Sequence, residues 1–182
     1  LWSGQRTARE YYSFEYDPSW LESPVRFAID PASLPLRTGA FHSRRLFGAI
    51  SDGGPDRWGR LLIQRALRKG LITRPLGGEL EYLIELDDVS RIGALRYRDG
   101  ADLPFLAARS GKLPPMLALP MLLRAADAVE RDREKAADLR HLLGFGSPVG
   151  GARPKSVVVD GKGNLSLAKF PALGARLGQR TR

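Results

Sequence analysis

The sequence predicts an α+β fold, and three stretches carry that expectation. "YYSFEYDPSW" alternates strictly, with Tyr12, Phe14 and Tyr16 on one side and Ser13, Glu15 and Asp17 on the other, as a half-buried strand does. "GGPDRWGRLLIQRALRKG" places Trp58, Leu61, Leu62 and Ala66 at helical spacing. "KSVVVDGKGNLSLAKF" reads as two strands on either side of a turn at residues 160–164. The strand signals stand near both ends of the chain and the strongest helical ones between them.

Taken in order, the first strand gives way to a turn at Pro18 and Ser19. "VRFAI", residues 25–29, predicts another short strand, and "DPAS", residues 30–33, a further turn. The helix that follows is expected over residues 55–69. Residues 52–56 supply turn and capping chemistry, and Gly70 closes the helix after a basic last turn. Its other face carries Arg57, Arg60, Gln64, Arg65 and Arg68, which suits either solvated surface or a site for an acidic or phosphate-bearing partner. "LEYLIELDDVSRIGALRYRDG" predicts a short helix, an acidic turn at Asp87 and Asp88 that caps or pairs locally with Arg91, and a strand over residues 94–98. After a proline-rich loop, "LALPMLLRAADAVERDREKAADLRHLL" is expected to be helical from about Pro120, with Leu122, Leu123, Ala126 and Val129 as its apolar stripe. A boundary near Leu143 then divides the chain into an N-terminal subdomain (1–143), a glycine-rich loop with its hairpin (144–171) and an irregular tail (172–182).

Composition narrows the chemistry. A chain of 182 residues can bury a core without disulfides or structural metal. There is no cysteine, which removes thiolate nucleophiles and cysteine–zinc sites together, and His42 and His141 cannot complete a zinc shell alone. No run approaches the roughly 18 consecutive apolar residues of a membrane span, so a soluble, cytoplasmic protein is expected. The net charge is +9, and of 29 basic residues only six are lysine. Arginine-rich surfaces suit nucleic acid, and they equally suit an acidic protein partner.

The stretch with the most specific chemistry is "GFGSPVGGARPKSVVVDGKGNLSLAKFP". Phosphates are held by backbone N–H groups that approach closely where glycine removes Cβ, with a lysine nearby to neutralise charge, and Gly150, Gly151 and Lys155 meet that description. The spacing is not that of a Walker loop, because Ala152, Arg153 and Pro154 stand between the second glycine and the lysine. Gly144, Gly146 and Gly150 run one residue longer than the usual kinase fingerprint. Lys169, ending the second strand of the hairpin, stands where a protein kinase places the lysine that pairs with the α and β phosphates. The alternative is an ordinary loop entering a hairpin whose edge strand bears an exposed lysine.

The segments "FEYDPSWL", "SLPL", "GGPDRWGRLL", "DDVSRIGALRY" and "GGARPK" with a following "LAKFP" occur in that order from Tyr12 to Pro171, and together they resemble the HipA family, kinase toxins of bacterial toxin–antitoxin systems. The resemblance implies a strand-and-helix N-terminal subdomain followed by a kinase lobe. It also implies ATP and magnesium as cofactors, phosphorylation of serine or threonine on a translation-related protein, and neutralisation by a helix-turn-helix antitoxin that binds operator DNA. Carried onto this sequence, the nucleotide loop falls on Gly150, Gly151, Ala152, Arg153, Pro154 and Lys155, and the phosphate-pairing lysine on Lys169. The family's regulatory serine does not carry over cleanly, since its place falls on Pro148 with Ser147 beside it. The 13 residues after Lys169 contain no aspartate. The resemblance therefore supplies no catalytic or metal-binding residue here, and a truncated, inactive portion with at most weak ATP binding is expected. Two other readings stay open: a standalone module that docks an antitoxin or a separate kinase chain, and a basic nucleic-acid-binding domain.

Overall fold

The computed structural model describes residues 2–6, 9–88, 91, 93–106, 115–143 and 153–171, with side chains from Tyr11 onward. The architecture is α+β, as expected: a three-stranded sheet, a group of helices and a two-stranded hairpin. Strand β1 (Trp2–Arg6) pairs antiparallel with β2 (Arg9–Phe14), whose other edge takes β3 (Phe41–Ser43). The predicted alternation holds, since Tyr12 and Tyr16 are buried while Glu15 and Asp17 are exposed. Tyr16 keeps its polar end satisfied, donating to the Leu34 carbonyl at 2.7 Å and accepting the Ile29 N–H at 3.1 Å.

Helix α1 (Pro18–Glu22) starts on Asp17, whose carboxylate accepts the Ser19 N–H at 2.8 Å. The strand expected at residues 25–29 does not form. Phe27 packs edge-on against Trp20 at 5.3 Å and its carbonyl accepts the Trp20 indole N–H at 3.2 Å, so this segment is tied to α1 rather than to a sheet edge. The turn at 30–33 is as expected, with Asp30 accepting the Ser33 N–H at 3.1 Å. A short helix α2 (Gly48–Ser51) then leads to α3 (Arg57–Arg68).

Helix α3 lies where its spacing predicts. Asp56 caps it, accepting the Gly59 N–H at 2.7 Å, and Trp58, Leu62, Ile63 and Ala66 are buried. Gly70, at φ +67°, closes it in a conformation that costs other residues about 1–2 kcal/mol. Helix α4 (Glu79–Ile84) follows. The strand expected at 94–98 is reduced to a single bridge between Arg98 and Phe105. Arg96 pairs with the buried Asp88 and lies 3.6 Å over the Phe105 ring, so the segment follows local side-chain contacts instead of a ladder. The pairing expected with Arg91 thus goes, for Asp88, to Arg96. Arg91 donates instead to the Leu83 and Leu86 carbonyls, at 2.6 and 2.8 Å, and so caps the end of α4.

The single helix expected from Pro120 is two, α5 (Leu119–Glu130) and α6 (Ala136–Leu143). Asp132 takes φ +56° between them, and both Asp132 and the buried Glu134 pair with Arg65 of α3, which draws the connection onto that helix. The buried stripe of α5 is Leu122, Ala125, Ala126 and Val129, whereas Leu123 is 40% exposed. Strands β4 (Lys155–Val159) and β5 (Leu165–Lys169) form the predicted hairpin. Two apolar clusters organise the described residues. One joins the three-stranded sheet to Ile50 and Leu83, and the other joins α3, α5 and α6 to Val158 and Phe170, so a single core runs across the boundary expected near Leu143.

Candidate functional site

The hairpin is positioned by its two faces and its turn. Val158 and Phe170 enter the helical core, while the turn is held by Asp160, whose carboxylate accepts the Lys162 and Asn164 backbone N–H groups at 2.8 and 2.9 Å and the Asn164 side-chain amide at 2.9 Å. These bonds, the Asn164 side chain first, hold the Asp160 carboxyl below its ordinary 3.8. A depressed carboxylate contributes stability that is fully present above its unfolded value and is lost as pH falls through the lower folded one. The NMR amide signals of Gly163 and Asn164 are therefore expected to show an acid transition with its midpoint below pH 3.8, and Asp160→Ala to abolish that transition. A transition unchanged in the variant would contradict this.

The register sets Lys155 directly opposite Lys169, on one face of the hairpin. Their surroundings differ. Lys169 is exposed. Lys155 is turned inward and pairs with Asp56, and the two side chains are 2% and 5% exposed. Asp56 therefore uses both oxygens: Oδ1 takes the Gly59 N–H that starts α3, and Oδ2 takes the Lys155 ammonium. Trp58 adds a hold on the main chain, its indole N–H donating to the Lys155 carbonyl at 3.2 Å. The Phe170 N–H closes the end of the hairpin on the buried Pro154, donating to its carbonyl at 2.9 Å.

Of the carried-over nucleotide residues, Arg153, Pro154, Lys155 and Lys169 are described, and Gly150, Gly151, Ala152 and Ser147 lie outside the described residues. Arg153 and Lys169 are exposed, Pro154 is buried and Lys155 is engaged with Asp56. Sequence reasoning placed the lysines and missed Asp56. Its signal was present but already explained as a helix cap, and a capping carboxylate has a second oxygen to offer. Among the described residues no group of three or more acidic or histidine side chains is arranged to hold a metal, and no helix is long and apolar enough to cross a membrane. A cleft of about 460 Å³ beside α4, lined by Phe14, Ile84, Leu95, Tyr97 and Arg98 among others, contains none of the motif lysines.

The arginine face of α3 is partly consumed within the fold. Arg60 pairs with Glu79 and lies 4.9 Å from the centre of the Tyr82 ring, and Arg65 pairs with Asp132 and Glu134. Arg57 and Arg68 remain exposed.

Residues 4–77 match the protein family described as "HipA N-terminal domain". No curated protein and no solved structure matches the chain.

Proposed function

We propose, from the match of residues 4–77 to the HipA N-terminal domain, that this chain is the N-terminal part of a HipA-like type II toxin–antitoxin serine/threonine kinase. In this reading the first subdomain faces a helix-turn-helix antitoxin, and the hairpin provides part of the ATP-binding wall. The observation that carries the second half is the exposed Lys169, at the end of a strand whose partner follows the glycine-rich stretch in sequence. Gly150 and Gly151 would supply backbone N–H groups to the phosphates, and Lys169 and Arg153 positive charge. Magnesium would reach the site with the triphosphate. Since α3 spends Arg60 and Arg65 on ion pairs, DNA contact is proposed to run through the antitoxin rather than through this helix.

Phosphoryl transfer needs carboxylates that hold metal and a group that orients the attacking hydroxyl, and most of the binding energy is realised only when they surround the transferring phosphate. A polypeptide of these 182 residues is therefore expected to bind ATP weakly and to transfer none of it. Titration with a fluorescent ATP analogue and magnesium tests the wall, with Lys169→Ala expected to weaken binding by about threefold to tenfold, as loss of one charged contact does at an exposed site. No binding by the wild-type chain, or an unaltered affinity in the variant, would refute the nucleotide assignment.

A further inference from the structure

We propose that Asp56 is a positioning residue for the nucleotide wall: by holding the Lys155 ammonium it makes Lys155 the anchor of the loop's end, and leaves Lys169 as the lysine that meets phosphate. The inference rests on the reading of the hairpin given above, and it takes out of nucleotide contact a lysine, Lys155, that the family resemblance places in the nucleotide loop.

A lysine that serves a phosphate has to present its Nζ to the space the phosphate enters. The Lys155 side chain is 2% exposed and its ammonium is paired with a carboxylate that is itself 5% exposed. Withdrawing it would leave Asp56 charged, buried and short of its partner at Oδ2, which is the costly half of breaking a buried pair. Asp56 has little freedom to follow, because Oδ1 is already fixed on the Gly59 N–H. The main chain is clamped as well: Trp58, two residues beyond Asp56, donates to the Lys155 carbonyl. The start of α3 thus grips the first residue of β4 by its side chain and its backbone together.

The consequence for Lys169 is electrostatic. Directly opposed lysines on one face of a hairpin repel. Asp56 neutralises one of them in a buried pair, and the other stands in solvent. The first residue of α3 and its cap lie inside the segment that matches the HipA N-terminal domain, so the N-terminal portion sets the geometry of a wall formed about a hundred residues later.

The test uses the full chain, a fluorescent ATP analogue with magnesium, and hydrogen exchange at the hairpin amides. The variant Asp56→Asn/Lys155→Met keeps a capping oxygen for Gly59 while removing both charges. It is expected to lose distinctly less analogue affinity than Lys169→Ala, whose loss is about threefold to tenfold. A folded double variant that loses as much as Lys169→Ala would overturn the proposal, because Lys155 would then be a phosphate ligand. Asp56→Asn alone is expected to speed exchange across 156–159 and 165–169, with the double variant slower than this single one. Unaltered exchange in Asp56→Asn would also overturn it. If the wild-type chain binds no analogue, the nucleotide reading falls, and the exchange result alone decides whether Asp56 positions the hairpin.

Discussion

Lys155→Met is expected to destabilise the fold by about 3–5 kcal/mol, the cost of leaving a buried charge without its partner. The expectation follows from the burial of both side chains and from the Asp56 carboxylate, which would keep its bond to the Gly59 N–H but face methionine on its other oxygen. Exposed ion pairs on the same molecule offer a contrast. Arg131 and Asp127, each half exposed and one helical turn apart, are worth at most about 0.5 kcal/mol. Neutralising both members of the buried pair in Asp56→Asn/Lys155→Met is expected to recover most of the loss, since exchanging a buried pair for uncharged groups is often close to neutral. Chemical denaturation followed by circular dichroism gives all three values. A Lys155→Met variant less than about 1 kcal/mol below wild type would show that water reaches the Asp56 carboxylate readily, and the buried-pair account would fail.

The sequence announced this site in part, and the limits have physical causes. Helix α3 and the β4–β5 hairpin were legible because their signals are local: a cap, a 3.6-residue stripe, a valine-rich run and a second short strand either side of a turn rich in Asp, Gly and Asn. The failures are places where a distant side chain outweighs a local pattern. Residues 25–29 have the composition of a strand, yet Trp20 takes Phe27 by both ring and carbonyl. The single helix predicted from about Pro120 breaks after Glu130 because Arg65, on another helix, collects Asp132 and Glu134. Residues 94–98 follow the Asp88–Arg96 pair. The same limit governs the candidate site. Lys155 and Lys169 were visible as lysines beside a glycine loop and at a strand end. That one of them is buried in an ion pair depends on Asp56, 99 positions earlier, and on a second carboxylate oxygen that local reading had no reason to place.

Trp58→Ala is expected to cost about 3–5 kcal/mol, the range for truncating a buried aromatic. Trp58 is 3% exposed and belongs to the cluster that joins α3 to α5, α6, Val158 and Phe170, so its removal opens space between the helices and the hairpin. A chain of this size has about 5–15 kcal/mol of stability in all, and the variant gives up a large share of it. Trp58→Phe separates the two things the indole does. The ring remains and most apolar contact with it, but the Lys155 carbonyl loses its 3.2 Å indole donor, at a cost of about 0.5–1.5 kcal/mol for one hydrogen bond. If Trp58 and Asp56 grip the same residue of β4, their losses should not add. The double variant Asp56→Asn/Trp58→Phe is expected to fall short of the sum of its singles by about 0.5 kcal/mol or more, because once either hold is gone the hairpin shifts and the other is already weakened. Strict additivity, measured by the same denaturation series, would mean that the side chain and the backbone of Lys155 are held independently, and that the start of α3 does not act on the hairpin as one clamp.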